Sequence, residues 1–126
     1  MPAPNNDSKV LIVDDFGDTA KILVEMFDHL RVATDSANTP EQAFSKVNEH
    51  RYQLVIADSR MPKVDGVSLL KQIRRSSPGT KVAVMSTFDS GNTHKISVAD
   101  GIDYYLPKPI KLKHLQEMLD ELSLKL

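Results

Sequence analysis

Two spacings of apolar residues alternate along the chain. Short continuous apolar runs occupy residues 10–13, 54–57 and 82–85, with a weaker one at 104–106. Such runs suit strands of a parallel sheet that is covered on both faces. Between them, apolar residues recur at spacings of three and four, which predicts helices. The first helix carries Ala20, Leu23, Val24, Phe27 and Leu30 behind Asp18 as its cap. The second opens on "TPEQ", with Thr39 as cap, Pro40 at the first helical position and Gln42 reaching back, ahead of Ala43, Phe44 and Val47. The third has Val67, Leu70 and Ile73 and is stopped by "SSPG". A fourth, at 92–100, shows little periodicity around Ile96 and Ala99 and is expected to be the least stable, with Gly101 as its end cap. The last has the stripe Leu112, Leu115, Leu119, Leu122 and Leu126, read as ordinary packing onto the sheet.

Alternating strands and helices argue for a three-layer α/β domain with right-handed crossovers. The second strand is hard to place. Residues 31–37 read "RVATDSA", and Asp35 interrupts what a central strand would keep apolar, so an edge position of uncertain register is expected. No internal repeat or interdomain linker is evident, and one domain is expected over 9–126. Residues 1–8, "MPAPNNDS", read as a disordered leader without the basic start or apolar stretch of a signal peptide.

Composition narrows the function more than the fold. The chain has 126 residues, 40% hydrophobic and 26% charged, which suits one packed domain. Its net charge of -1 gives no electrostatic case for nucleic acid or an anionic membrane. With no cysteine, disulfide frameworks, thiolate metal sites and cysteine nucleophiles drop out, and a reducing, cytoplasmic setting fits. No apolar run approaches the roughly 20 residues of a spanning helix.

The chemistry gathers where apolar runs end. "KVLIVDDF" places Asp14 and Asp15 just past the first run, and "QLVIAD" closes the third strand on Asp58. In open parallel sheets, ligands collect outside the carboxyl ends of the strands, where strand order reverses. Neighbouring first and third strands would bring these three carboxylates into one pocket. Such like charges repel unless a cation sits between them, and Mg²⁺, with Mn²⁺ as its substitute, suits oxygen ligands. "KVAVMST" and "YYLPKP" add the Ser86 hydroxyl and the Lys108 ammonium after two further runs. A metal, an ammonium and a hydroxyl around one carboxylate match the needs of a phosphoryl group, with Asp58 as the nucleophile. Any one of these residues alone would read as a loop, cap or surface residue. Four strand ends with complementary groups form the signal.

In the order "VLIVDD", "LVIADSRMPKVDG", "VAVMST" and "YYLPKP", the chain resembles the receiver domain of two-component response regulators. The resemblance implies a flavodoxin-like (CheY-like) fold, with a five-stranded parallel sheet in the order 2-1-3-4-5 and five helices. It implies that Asp58 accepts a phosphoryl group from a histidine kinase or a histidine phosphotransfer protein. Asp15 and Asp58 would bind Mg²⁺ directly, Asp14 through water, and the backbone carbonyl of Arg60 would be a further ligand. Ser86 and Lys108 would contact the phosphoryl oxygens, and Tyr105 matches an aromatic switch position. The bond from Lys108 to Pro109 is expected to be cis. The face made by the fourth helix, fifth strand and fifth helix would engage an output protein whose identity is unknown.

Two residues, Arg60 and Thr87, depart from the family pattern, and with Phe88 they are expected to modulate the site. Arg60 stands where many relatives carry an uncharged side chain, and reads either as a phosphate partner or, with more weight, as a solvated one. Thr87 is bulkier than the small residue common there, and Phe88 is expected to shield an acyl phosphate from water. The histidines at 29, 50, 94 and 114 lack metal-ligand spacing and are expected on solvated faces. Arg74 and Arg75 suit a helix C-terminus better than nucleic acid. The reading is a phosphorylation-dependent signalling switch, catalytic only in accepting its own phosphoryl group and losing it to water. The alternative is a receiver-like interaction domain that works without phosphorylation. A phosphatase or phosphotransferase with a separate substrate ranks last.

Overall fold

Val10–Val13 (β1) lies inside a parallel sheet because nothing along it tolerates water: all four residues are fully buried. The computed structural model describes residues 9–14, 18–59, 66–87 and 101–124, with Asp18, Ser86 and Thr87 described by their backbone alone. The other strands are Thr34–Ala37 (β2), Leu54–Asp58 (β3), Lys81–Thr87 (β4) and Tyr104–Lys108 (β5). They form one five-stranded sheet in the order β2-β1-β3-β4-β5, with parallel pairing throughout. The described helices are Asp18–His29 (α1), Pro40–Glu49 (α2), Gly66–Ser76 (α3) and a last helix, Leu112–Glu121. The helix expected at 92–100 and the leader at 1–8 lie outside the described residues.

Side chains alternate across the sheet, so each strand feeds two cores. Leu11, Val13, Val55, Ala57, Val82 and Val84 meet α2 and α3 through residues such as Ala43, Leu70 and Ile73. Val10, Ile12, Leu54, Ile56, Ala83 and Met85 meet α1 and the last helix through Leu23, Phe27, Leu115 and Met118. The expected periodicity needs two adjustments. Val24 is 36% exposed and Leu30 is half-buried, so the buried stripe of α1 is narrower than predicted. In the last helix Met118 is buried, while Leu112, Leu119 and Leu122 are half-covered and Leu126 lies outside the described residues.

Local chemistry sets the element ends. The Thr39 hydroxyl accepts from the Gln42 N–H at 3.1 Å, as expected, but the Gln42 side chain accepts from Asn38 rather than from Thr39 itself, at 3.0 Å. β2 is an edge strand. Its Asp35 accepts a 2.6 Å hydrogen bond from the Tyr52 hydroxyl, which explains how an acid is tolerated there. At the end of α3, Arg74 donates to the carboxylate of Asp103 at 2.6 Å and to the Gly101 carbonyl at 3.2 Å. Arg74 thereby ties α3 to the approach to β5, beyond the helix-end role expected of it. No described helix is long and apolar enough to cross a membrane.

Candidate functional site

The sheet order puts β1 and β3 side by side, and their register aligns Val13 with Ala57. Asp14 and Asp58 are the next residues along, so two carboxylates leave neighbouring strands at the same rim. Both are nearly cut off from solvent, Asp14 at 3% exposure and Asp58 at 7%. Such burial is costly for a carboxylate unless it is compensated. Asp58 is compensated from across the sheet: the Lys108 ammonium donates to its Oδ2 at 2.5 Å. β4 lies between β3 and β5 and spaces them so that the long lysine side chain spans the gap.

Asp14 is compensated differently. Its Oδ2 accepts from the backbone N–H groups of Thr19 and Ala20, each at 3.2 Å. These are first-turn donors of α1, which have no partner within the helix. The expected cap, Asp18, is instead the first helical residue. Among the described residues, Asp14 Oδ1 takes no hydrogen bond, since both bonds fall on Oδ2.

The backbone around Asp58 is equally constrained. Ser59 N–H donates to the Met85 carbonyl at 2.8 Å, holding the chain against β4 as it leaves the strand. Gly66 then opens α3 directly against Asp58, with its N–H on the Ser59 carbonyl at 3.2 Å. A Cβ at Gly66 would fall 1.8 Å from the Asp58 carbonyl oxygen, which no side chain can occupy. This glycine carries no assigned role in the sequence. Its signal was the "DG" pair immediately before an amphipathic helix.

Ser86 and Thr87 end β4, paired with Pro107 and Lys108, which sets their backbone beside that of the lysine. The Lys108–Pro109 bond is cis, as the resemblance implied. Tyr105, aligned with Val84, is half-buried against the core beneath α2 and α3. Its neighbour Tyr104 packs on the opposite side, where burial and then the acids Glu121 and Glu117 raise its phenol pKa. Asp15, Arg60 and Phe88 lie outside the described residues. The structure therefore brings Asp14, Asp58 and Lys108 together and sets the backbone of Ser86 at the same rim.

The described part of the site has oxygen donors suited to a hard divalent cation. Asp14 and Asp58 bring two negative charges and Lys108 one positive charge, so the trio keeps a negative excess. Among the described residues, no group of three or more His, Cys, Asp or Glu is placed to hold a metal ion. Among the described residues, no histidine belongs to such a group. His29 is exposed and His94 lies outside the described residues. Two others depart from the solvated faces expected of them. His50 is half-buried, edge-on to Tyr52 with ring centroids 4.7 Å apart, and His114 is half-buried with its Nδ1 covered and without a hydrogen-bond partner among the described residues.

Comparison with known proteins identifies the family of the fold. The family model of the response regulator receiver domain matches residues 10–120. The transcriptional regulatory protein ZraR of Escherichia coli (strain K12) is 31% identical over 112 residues, which are 89% of this chain and 25% of ZraR. A CpxR homolog from Haemophilus influenzae is 32% identical over 86% of this chain and 47% of its own length. The chain thus spans between a quarter and a half of these relatives. Among solved structures, the receiver domain of the Francisella response regulator 1452 superposes with a TM-score of 0.80 at 29% identity, covering 92% of this chain and 97% of that one. Vibrio cholerae chemotaxis protein CheY4, at 24% identity and a TM-score of 0.81, shares the fold. With the family's profile running along nearly the whole sheet and its helices, the chain belongs to the response regulator receiver domains, which are signalling proteins rather than conventional enzymes.

Proposed function

We infer that this domain is a phosphorylation-dependent switch whose phosphoryl acceptor is Asp58. One observation carries the reading: a nearly buried carboxylate at the end of β3 meets the Lys108 ammonium at 2.5 Å, beside a second carboxylate on the neighbouring strand. A carboxylate oxygen of Asp58 attacks phosphorus, and the bond from phosphorus to the donor histidine nitrogen breaks with its electron pair leaving on that nitrogen. The product is an acyl phosphate, which water later hydrolyses. The donor is a histidine kinase or a histidine phosphotransfer protein.

Lys108 and the Ser86 hydroxyl receive the phosphoryl oxygens from the ends of two adjacent strands, β5 and β4, close to the acceptor. Asp14, Asp15, Asp58 and the Arg60 carbonyl are the residues that would hold Mg²⁺. When bound, the ion supplies charge neutralisation between the carboxylates and the incoming phosphoryl group. Phosphorylation adds roughly -1.5 to -2 charges and draws Ser86 and Lys108 toward the new oxygens. Tyr105 and the face of residues 92–100, β5 and the last helix then pass the change to an output partner.

Incubation with acetyl phosphate and Mg²⁺, followed by intact mass, tests the acceptor. The chain is expected to gain one phosphate and Asp58→Asn none. A phosphate retained in Asp58→Asn overturns the assignment.

A further inference from the structure

We propose that Asp14 makes the start of α1 compete with the divalent cation for one carboxylate, so that filling the acidic pocket loosens the first turn of that helix. The inference rests on the cation site proposed above and adds a response of this chain to it. It begins from the unusual source of the α1 cap. Gly17, which precedes the helix in sequence, has no side chain to offer. The N–H groups of Thr19 and Ala20 turn to Asp14 Oδ2 instead, five and six residues back, each at 3.2 Å.

One group is therefore committed in two directions. Oδ2 holds the positive end of a helix, and the same carboxylate, whose backbone N–H donates to the Ala37 carbonyl at 3.0 Å, stands one residue past β1 at the rim where Asp58 ends the neighbouring strand. Both demands draw on the same negative charge. A cation attracted to Asp14 withdraws electron density from Oδ2 and adds a positive field where the helix dipole is already positive. Each demand therefore weakens the other, and by linkage the coupling is equal in both directions. Asp14 acts here as a positioning residue, joining the acidic pocket to α1.

Two measurements on the intact chain test this. Calorimetric titration with MgCl₂ establishes whether the pocket takes the ion. Residue-resolved amide hydrogen exchange with and without saturating Mg²⁺ then reads the cap. Thr19 and Ala20 amides are expected to exchange about two- to fivefold faster with Mg²⁺, while those of Leu23 and Phe27, deeper in α1, keep their rates. Asp58→Asn is expected to abolish that response. Unchanged or slower exchange at Thr19 and Ala20 despite binding heat overturns the competition and leaves the cation site standing. A uniform change along α1, or a response that survives Asp58→Asn, also overturns it. Absence of binding heat removes the cation site and the competition together.

Discussion

Gly66 and Asp58 are eight positions apart in sequence, yet the backbone of one lies against the carbonyl of the other. Because a Cβ would meet backbone atoms 1.8 Å and 2.8 Å away, no rotamer change relieves the overlap, and β3 or α3 must shift. Gly66→Ala is expected to destabilise the fold by about 1–3 kcal/mol and to slow phosphorylation by acetyl phosphate, since the displaced atoms belong to the acceptor itself. Urea unfolding and the intact-mass time course read the two effects. Wild-type values in both would contradict the close approach. A second residue acts at the opposite end of the strands. The Tyr52 side chain is buried and donates to Asp35, and its phenol pKa is raised above the ordinary 10.0, first by burial and then by that acid. The neutral phenol therefore contributes stability in full below pH 10, and the contribution shrinks as pH climbs toward the folded value. Tyr52→Phe is expected to cost about 1–2 kcal/mol near neutrality through the lost hydrogen bond, and to lose less stability than wild type between about pH 10 and about pH 12. Parallel pH profiles for the two proteins would remove the Tyr52–Asp35 account.

Helix ends show why some elements can be read in advance and others cannot. α1 finishes in a Schellman turn: Val32 N–H donates to the Phe27 carbonyl at 2.8 Å and Arg31 N–H to Asp28 at 2.9 Å, with Val32 and Phe27 sharing a core. Arg31 has φ 62, the left-handed region usually given to glycine, and its side chain is exposed. The last helix repeats the turn at Ser123, φ 56. Arg31→Gly relieves the Cβ strain at the cost of unfolded-chain entropy, and is expected to stabilise by about 0.5–1 kcal/mol in denaturant melts. A loss of stability would show that the arginine makes contacts worth more than the strain. Neither ending was legible in the sequence, because no glycine marks it. The start of α2 was legible, since Thr39, Pro40 and Gln42 act within one turn. So were the three central strands, whose burial on both faces leaves continuous apolar runs. The edge position of β2 could be inferred from Asp35, but not the acid's partner, because Tyr52 is distant in sequence and reaches it only through tertiary packing. The same reasoning divides the site. Asp58 and Lys108 end apolar runs and could be picked out, whereas the hold of Asp14 on α1 and the contact of Gly66 with Asp58 are products of folding.

At the scale of the molecule, parallel strands send every carboxyl end to one rim, and the reversal of strand order, with β2 on one side of β1 and β3 on the other, places the carboxylates there. The native state thus holds Asp14 and Asp58 at adjacent positions, whereas the unfolded chain disperses them and binds a divalent ion weakly. A ligand that prefers the native state stabilises it by mass action, by about 2.7 kcal/mol at one hundred times its dissociation constant. For a chain of 126 residues, that corresponds to a rise of roughly 10 °C in Tm. The comparison belongs at matched ionic strength, with NaCl replacing MgCl₂, because screening alone alters the repulsion between the acids. Mg²⁺ is expected to raise the midpoint in wild type and to raise it far less in Asp58→Asn, which keeps the shape of the pocket and drops one charge. An equal rise in both proteins would place the ion away from this rim, and no rise in wild type would mean that Lys108 and the start of α1 already satisfy the two carboxylates.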